Sequence, residues 1–297
     1  MPPSHRQYRT INQPRREALV TPQVFEYPAG LRNAIEGIPT APGVYVFHGE
    51  EGDLPLYIGK SVNLRHRVLS HLRNANEARM LRQTKRISHI RTAGEIGALL
   101  LEASMIKQQQ PLFNQKLRRN RQLCSLQMQE NKPVVVFSKD LDFSTQPDLY
   151  GLFASRHSAI QALEQLADIQ RLCHGLLGIE KVPEGLPCFR AKLRYCAGAC
   201  RGEESRAAHD ARLLSALENL RVACWPFAGA IGLVERHDED YQMHVIRNWN
   251  YLGSVSDQSS ALTQARQFAS MAAGFDADGY KILCKPILGR TAEIVVL

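Results

Sequence analysis

The chain is 297 residues long, 44% hydrophobic and 22% charged, as in an ordinary globular protein with room for two or three domains. A net charge of +8 argues against an acidic, self-solvating chain and points to an anionic partner, nucleic acid first. No apolar run reaches membrane-spanning length and no signal-peptide core opens the sequence, so the seven cysteines do not read as a disulfide framework and the expected setting is cytoplasmic, with no membrane partner. In chain order, residues from Met1 to Gln23 are polar and basic (Arg6, Arg9, Arg15, Arg16) and read as an arm. A short helix is expected over Gly30 to Glu36, stopping before Pro39 and Pro42.

The stretch from Pro42 to His71 organises the rest of the chain. Val44-Tyr45-Val46-Phe47 and Pro55-Leu56-Tyr57-Ile58-Gly59 flank a Gly-rich acidic turn and predict a hairpin. Asn63 is placed to cap a helix with apolar positions Leu64, Val68 and Leu72, on which Arg67 and His71 share a face. Two phenols near fixed cations suggest a phosphate site with a proton acceptor. Nearby cations favour a phenolate and lower its pKa. A second basic helix is expected from Asn74 to Arg86, a third strand from Ile87 to Thr92, and a helix from Gly94 to Gln110 stopped by Pro111. Within that helix Glu102 stands beside Leu99, Leu100, Leu101 and Ala103, where a carboxylate is costly unless exposed, paired or metal-bound. On the helix alone it reads first as part of a polar stripe with Glu95 and Lys107. From Lys60 to Arg121 there are 14 Lys or Arg against 3 acidic residues, so the positive charge is concentrated here, including the run Lys116 to Arg121.

Further on, Leu123 to Gln129 and Pro133 to Ser138 read as paired strands, and Ser158 to Leu172 as a helix. Cys173, Cys188, Cys196 and Cys200 fall within 28 residues and suggest four thiolate ligands to one centre, with Arg194 and Arg201 as stabilising cations. Spacing does not separate zinc from iron–sulfur, but only one pair is short, which tilts the reading towards iron–sulfur. Cys124, Cys224 and Cys284 read as core. A helix is expected from His209 to Leu220, then strands Gly229 to Glu235 and Tyr241 to Arg247 around an acidic turn at His237 to Asp240. A helix from Ser260 to Met271 and strands Tyr280 to Pro286 and Ala292 to Val296 complete a small α+β domain.

Gly43-Val44-Tyr45, Tyr57-Ile58-Gly59-Lys60, Arg67, Glu102 and Asn114, in that order, resemble the signature of the GIY-YIG nucleases, in the form found in the N-terminal half of the repair subunit UvrC. The length and the remaining segments are similar to a short UvrC homologue. The resemblance implies an α+β chain: an N-terminal arm and short helix (1–38), a GIY-YIG nuclease domain with a small antiparallel three-stranded sheet flanked by helices (39–120), a linker domain with the four-cysteine cluster (121–205) and a small C-terminal α+β domain (206–297). It implies a metal-dependent endonuclease of nucleotide excision repair, cutting damaged double-stranded DNA on the 3′ side of a lesion marked by UvrA and UvrB. Glu102 would hold one Mg2+ or Mn2+. Arg67 would contact the scissile phosphate, and Tyr57 or Tyr45 would be the base. Lys60 would lower a phenol's pKa or position the water, and Asn114 would orient Glu102 or the metal. His71 stands where the family more often has tyrosine, so a phosphate contact or a bond to a tyrosine is expected of it. Lys60, Arg65, Arg67, Arg73, Arg118, Arg119 and Arg121 are the expected DNA contacts. The cysteine segment resembles one associated with a [4Fe-4S] cluster, with Zn2+ as the alternative. UvrC's second nuclease has no counterpart here, so one cut by a monomer is expected. The competing functions are a stand-alone structure-specific GIY-YIG nuclease and a non-catalytic DNA-binding module.

Overall fold

The computed structural model describes residues 30–50, 54–115, 117, 123–183, 186–268 and 274–297. The expected arm, the hairpin tip at 51–53, and Lys116 with Arg118, Arg119 and Arg121 lie outside the described residues.

Helix α1 (Gly30–Glu36) precedes the hairpin of β1 (Gly43–His48) and β2 (Pro55–Ser61). Helix α2 (Leu64–Leu72) comes next, its first turn capped by Asn63, whose side chain accepts from the His66 N–H at 3.0 Å. The basic helix expected from Asn74 to Arg86 is shorter. A 3-10 turn at Ala75–Glu77 leads into α3 (Ala78–Gln83), and Arg86 already belongs to β3 (Arg86–Arg91). The three strands pair antiparallel in the order β2-β1-β3, with Tyr45 opposite Gly59 and Phe47 opposite Tyr57.

Strand β1 is buried at every position because both faces are covered. Tyr45 and Phe47 pack with Leu64, Val68 and Leu72 of α2 and with Leu31 and Ile35 of α1. Val44 and Val46 point the other way, onto Met105 and Ile106 of α4 (Glu95–Gln109). Full burial of each such side chain stabilises the fold by about 1.5–3 kcal/mol. Gln110 closes α4 in the left-handed conformation and Pro111 comes directly after it.

A second antiparallel sheet, β5-β4-β6, consists of β4 (Cys124–Gln129), β5 (Lys132–Phe137) and β6 (Leu149–Phe153). It is covered by α5 (Arg156–Ile169), which Ser155 and Ser158 start with a capping box. The cysteine segment holds α6 (Phe189–Lys192) and a 3-10 turn, Ala199–Arg201. Next, α7 (Arg206–Glu218) packs Leu213 and Leu217 under the second sheet.

The third sheet, β10-β7-β8-β9, comprises β7 (Ile231–His237), β8 (Asp240–Arg247), β9 (Asn250–Val255) and, from the chain end, β10 (Glu293–Val296). Between β9 and β10 run α8 (Gln258–Gln267) and α9 (Ala277–Leu288). Two expectations change here. The segment Tyr280 to Pro286, read as a strand, is part of α9, because Gly279, Leu283 and Ile287 recur every four residues and are all buried. Strand β9 was not expected. Its hairpin turns on Asn248 and Trp249, both at positive φ (51° and 65°), rather than on an Asn-Gly pair. Trp249 is fully buried, packed edge-on against Trp225 and Tyr280. A large apolar cluster joins these residues to Leu149, Phe143 and Leu100 of α4, so the core runs continuously from the third sheet to α4.

Candidate active site

Strands β1 and β2, helix α2 and helix α4 bring Tyr45, Tyr57, Lys60, Arg67, His71 and Glu102 together. The Tyr45 hydroxyl lies over Gly59, where any Cβ would overlap it. The glycine opposite Tyr45 is therefore the room that phenol needs. The ring of Tyr45 is 6.2 Å from that of Tyr57 and 5.3 Å from that of His71, centre to centre. Tyr45 is buried and Tyr57 half-buried.

Tyr45 Oη and His71 Nε2 are 2.6 Å apart. The other ring nitrogen, Nδ1, bonds the carboxylate of Glu77, which is itself held by Asn74 Nδ2 at 3.0 Å. A carboxylate on Nδ1 fixes the N–H there and leaves Nε2 to accept from the phenol. His71 is thus neutral and aimed. Burial holds it below the ordinary imidazole pKa, against the opposing pull of Glu77. Glu77 was not anticipated, although Asn74-Ala75-Asn76-Glu77 has the spacing of a helix-start box in which an acidic residue three places on turns back.

Both phenols sit above their ordinary pKa. Burial is the main cause for each, with the neighbouring phenol second for Tyr45 and Glu102 second for Tyr57. Arg67 pulls both down and hydrogen-bonds Tyr45, but does not prevail. The expectation that local cations lower a phenol's pKa is therefore corrected: desolvation outweighs the charge. The part expected of Lys60 in lowering a phenol's pKa changes too. Its ammonium is 2.6 Å from Glu95 Oε1 in the first turn of α4, rather than on a phenol.

Glu102 Oε1 accepts from the backbone N–H of Lys60 at 3.1 Å. Burial raises this carboxyl above its usual range, against the pull of that N–H and of Lys60 and Arg67. A half-buried oxygen donor of this kind gains from a hard cation beside it, so the donor chemistry fits Mg2+ or Mn2+. Asn114 does not orient Glu102. Its Oδ1 accepts from Ile58 N–H and its Nδ2 donates to Ile58 C=O, both at 2.8 Å, which fastens the segment after α4 to β2. Arg65 and Arg73 lie exposed on and beside α2.

Elsewhere, the four cysteines converge. Cys188 Sγ lies 3.5 Å from Cys173 Sγ, 3.7 Å from Cys200 Sγ and 3.9 Å from Cys196 Sγ. Sγ atoms of Cys173, Cys188 and Cys200 are all within 4.8 Å of one another. Burial pushes the Cys173 thiol up to about 12. For Cys188 burial is outweighed by the Ala191 N–H and the other thiols, which lower it. These bonds, rather than Arg194 or Arg201, support the thiolate; Arg201 is paired with Glu203 at 3.0 Å. His209, fully buried, accepts from the Cys173 N–H and ties the cluster to α7. Three buried thiols with the half-buried Cys200 suit a thiophilic metal centre.

No helix among the described residues is long and apolar enough to cross a membrane.

The chain is similar to known proteins along most of its described length. Residues 41–115 match the family described as UvrC-like GIY-YIG domain, 123–219 the UvrC/Cho excinuclease middle domain, and 230–297 the excinuclease Cho C-terminal domain. The chain is 56% identical over 289 residues to excinuclease Cho of Escherichia coli strain K12, covering 97% of this chain and 96% of that protein. It is 57% identical over 274 residues to excinuclease Cho of Salmonella typhimurium, covering 92% of each. UvrABC system protein C of Caldicellulosiruptor saccharolyticus is 29% identical over 180 residues, 58% of this chain and 30% of that protein. Among solved structures, the GIY-YIG N-terminal endonuclease domain of UvrC from Thermotoga maritima, bound to magnesium, is 31% identical over 29% of this chain and 98% of that one, with a TM-score of 0.27. The chain belongs to the excinuclease Cho family and is an α+β endonuclease with a UvrC-like GIY-YIG domain.

Proposed function

We propose that this protein cuts the damaged strand of double-stranded DNA on the 3′ side of a lesion by metal-dependent phosphodiester hydrolysis, after UvrA and UvrB have marked the lesion. The observation that carries this reading is the convergence of Tyr45, Tyr57, Arg67, His71 and Glu102 around the β1-β2 hairpin, with Glu102 reaching the β2 backbone from α4, in a chain rich in cations around it. A surface that holds phosphates gives affinity without sequence preference, so lesion choice belongs to the partner complex.

Glu102 would hold one Mg2+ or Mn2+, which when bound would supply charge stabilisation to the reacting phosphodiester. Arg67 contacts the scissile phosphate and offsets the charge that builds up there. Because both phenols are held neutral, neither waits as a phenolate. The attacking water gives its proton to the half-exposed Tyr57, whose proton passes to Tyr45 and from Tyr45 to His71 Nε2. Glu77 then balances the imidazolium. Asn114 and Lys60 act on the frame: Asn114 locks Ile58, and Lys60 presents its N–H to Glu102 and its ammonium to Glu95. The exposed Arg65 and Arg73, with Arg118, Arg119 and Arg121, line the backbone of the duplex.

The four-cysteine site is a structural metal centre. Ligand spacing favours a [4Fe-4S] cluster. Zinc is favoured by the sulfur separations, which approach the edge of a tetrahedron, about 3.8 Å for Zn–S bonds of about 2.3 Å. Iron and zinc content of anaerobically purified protein decides between them.

The test of the pathway uses an end-labelled duplex with one bulky lesion, UvrA, UvrB, ATP and Mg2+. A single 3′-side cut that requires UvrB is expected. Cutting of the same duplex, or of branched DNA, without UvrB would replace this reading with a stand-alone nuclease.

A further inference from the structure

The N-terminus of α4, the helix that carries Glu102, is not capped by its own domain. Gly94 occupies the cap position and has no side chain to offer. The first N–H groups of a helix have no intrahelical acceptor and need one from elsewhere. Here it comes from the third sheet, about 140 residues away. Glu235 of β7 accepts from Ile96 N–H through Oε1 at 2.9 Å and from Gly97 N–H through Oε2 at 2.7 Å.

The contact is built from both sides. His244 Nε2 lies 2.9 Å from Glu235 Oε2, and its Nδ1 bonds Ser254 at 2.7 Å, so the carboxylate is backed by a fully buried ring. A Cβ on Gly94 would collide with the Glu235 carboxylate, and one on Gly97 with the His244 ring. The two glycines thus give the sheet room to reach the helix backbone. The same hairpin also reaches the strand before the helix. Gln242 Oε1 accepts from Ala93 N–H at 3.0 Å, and Asp240 pairs with Arg91 at 2.5 Å. At the far end of α4, Lys107 pairs with Asp276 at 2.5 Å and Asp278 at 3.3 Å, on α9 and its cap. Acidic groups meet the positive end of the helix dipole and a cation sits at the negative end, both engaged by the C-terminal domain.

We propose that the C-terminal domain is a clamp that sets the axial position of α4, with Glu235 as a positioning residue for the metal-binding carboxylate of Glu102. The helix also packs on β1 and β2 through Met105 and Ile106, so it is held by its own domain as well as by the clamp. What it fixes is the turn preceding Glu102, which lies five residues beyond Gly97, against the Lys60 N–H. The inference rests on Glu102 as the metal ligand. It assigns the domain a part in catalysis rather than in binding a partner.

The experiment compares the full-length wild type with Glu235→Gln, which keeps the size but puts an NH2 against one of the two N–H groups, and with Gly97→Ala. The alanine favours helix while displacing Glu235 and His244. Amide exchange is measured by mass spectrometry, Mn2+ binding by electron paramagnetic resonance, and cutting as a function of Mg2+. Expected in both variants is faster exchange confined to 94–102 and a metal requirement raised about tenfold, in line with the loss of one helix cap, with DNA affinity unchanged. Faster exchange spread over the third sheet with an unchanged metal requirement would make Glu235 plain domain glue and overturn the proposal, as would no change at all. Glu102→Ala is the control. If it binds Mn2+ like wild type, the metal assignment fails, while the exchange data still report on the clamp by themselves.

Discussion

Asn114→Ala distinguishes a frame residue from a metal-orienting one. Ile58 is fully buried, and Asn114 satisfies both its N–H and its C=O at 2.8 Å. Removing the amide leaves two buried backbone groups without partners, at about 1–3 kcal/mol each. The cost is therefore about 2–6 kcal/mol, a large share of the stability of an ordinary domain. Urea unfolding with an unchanged m-value reads that loss directly, and a parallel Mg2+ titration of cutting below the unfolding transition reads the site. The variant loses stability by that amount and keeps a near-normal Mg2+ requirement. Asn114→Asp fares no better, because it keeps the acceptor for Ile58 N–H but turns an anion towards Ile58 C=O. Unchanged stability together with a sharply higher Mg2+ requirement would refute the assignment and return Asn114 to the metal.

Glu102→Gln behaves in the opposite way. Burial raises the folded-state pKa of Glu102 above that of the unfolded chain, so the ionised carboxylate costs stability at pH 7 and the cost vanishes as pH falls below the unfolded value. Thermal melts at pH 7 show the variant at least as stable as wild type, and cutting falls at least about 10²-fold. His71→Gln removes the proton acceptor and lowers the single-turnover rate by about 10²-fold. In wild type the rate falls as pH drops through a His71 pKa below the ordinary imidazole value, and Glu77→Gln moves that acid limb lower still, because Glu77 is what raises it. Cys188→Ser, at the centre of the sulfur contacts, abolishes the bound metal measured by elemental analysis and lowers the melting temperature.

Local features were the legible ones. The hairpin, the Asn63 cap, α4 with its Pro111 stop, and the cysteine run are written in consecutive residues. The roles misread were those decided by partners far along the chain. Asn114 was recognised, but its bonds to Ile58 are 56 residues away and invisible in the motif. Lys60 stands three residues after Tyr57 in sequence, yet its ammonium goes to Glu95. Tyr45 and Tyr57 were found, but burial, a property of the folded sheet, reversed the expected direction of their pKa values. Strand β9 was hidden because its turn uses Asn248-Trp249, which only the aromatic core around Trp249 makes tolerable. Helix α9 was taken for a strand because a short apolar run ending in proline fits either period. Glu235 carries no local signal at all, since its role exists only once the third sheet meets α4.

Glu102 and the two tyrosines are held to form a single metal-dependent cutting centre. The most direct measurement is single-turnover cutting of a UvrA- and UvrB-marked lesion duplex by Glu102→Ala beside wild type, with both proteins shown to have the same melting temperature and DNA affinity. Cutting is expected to disappear in the variant and not to be rescued by excess Mn2+. Cutting by folded Glu102→Ala at a rate near wild type would place the chemistry elsewhere in the molecule and contradict a centre built on that carboxylate.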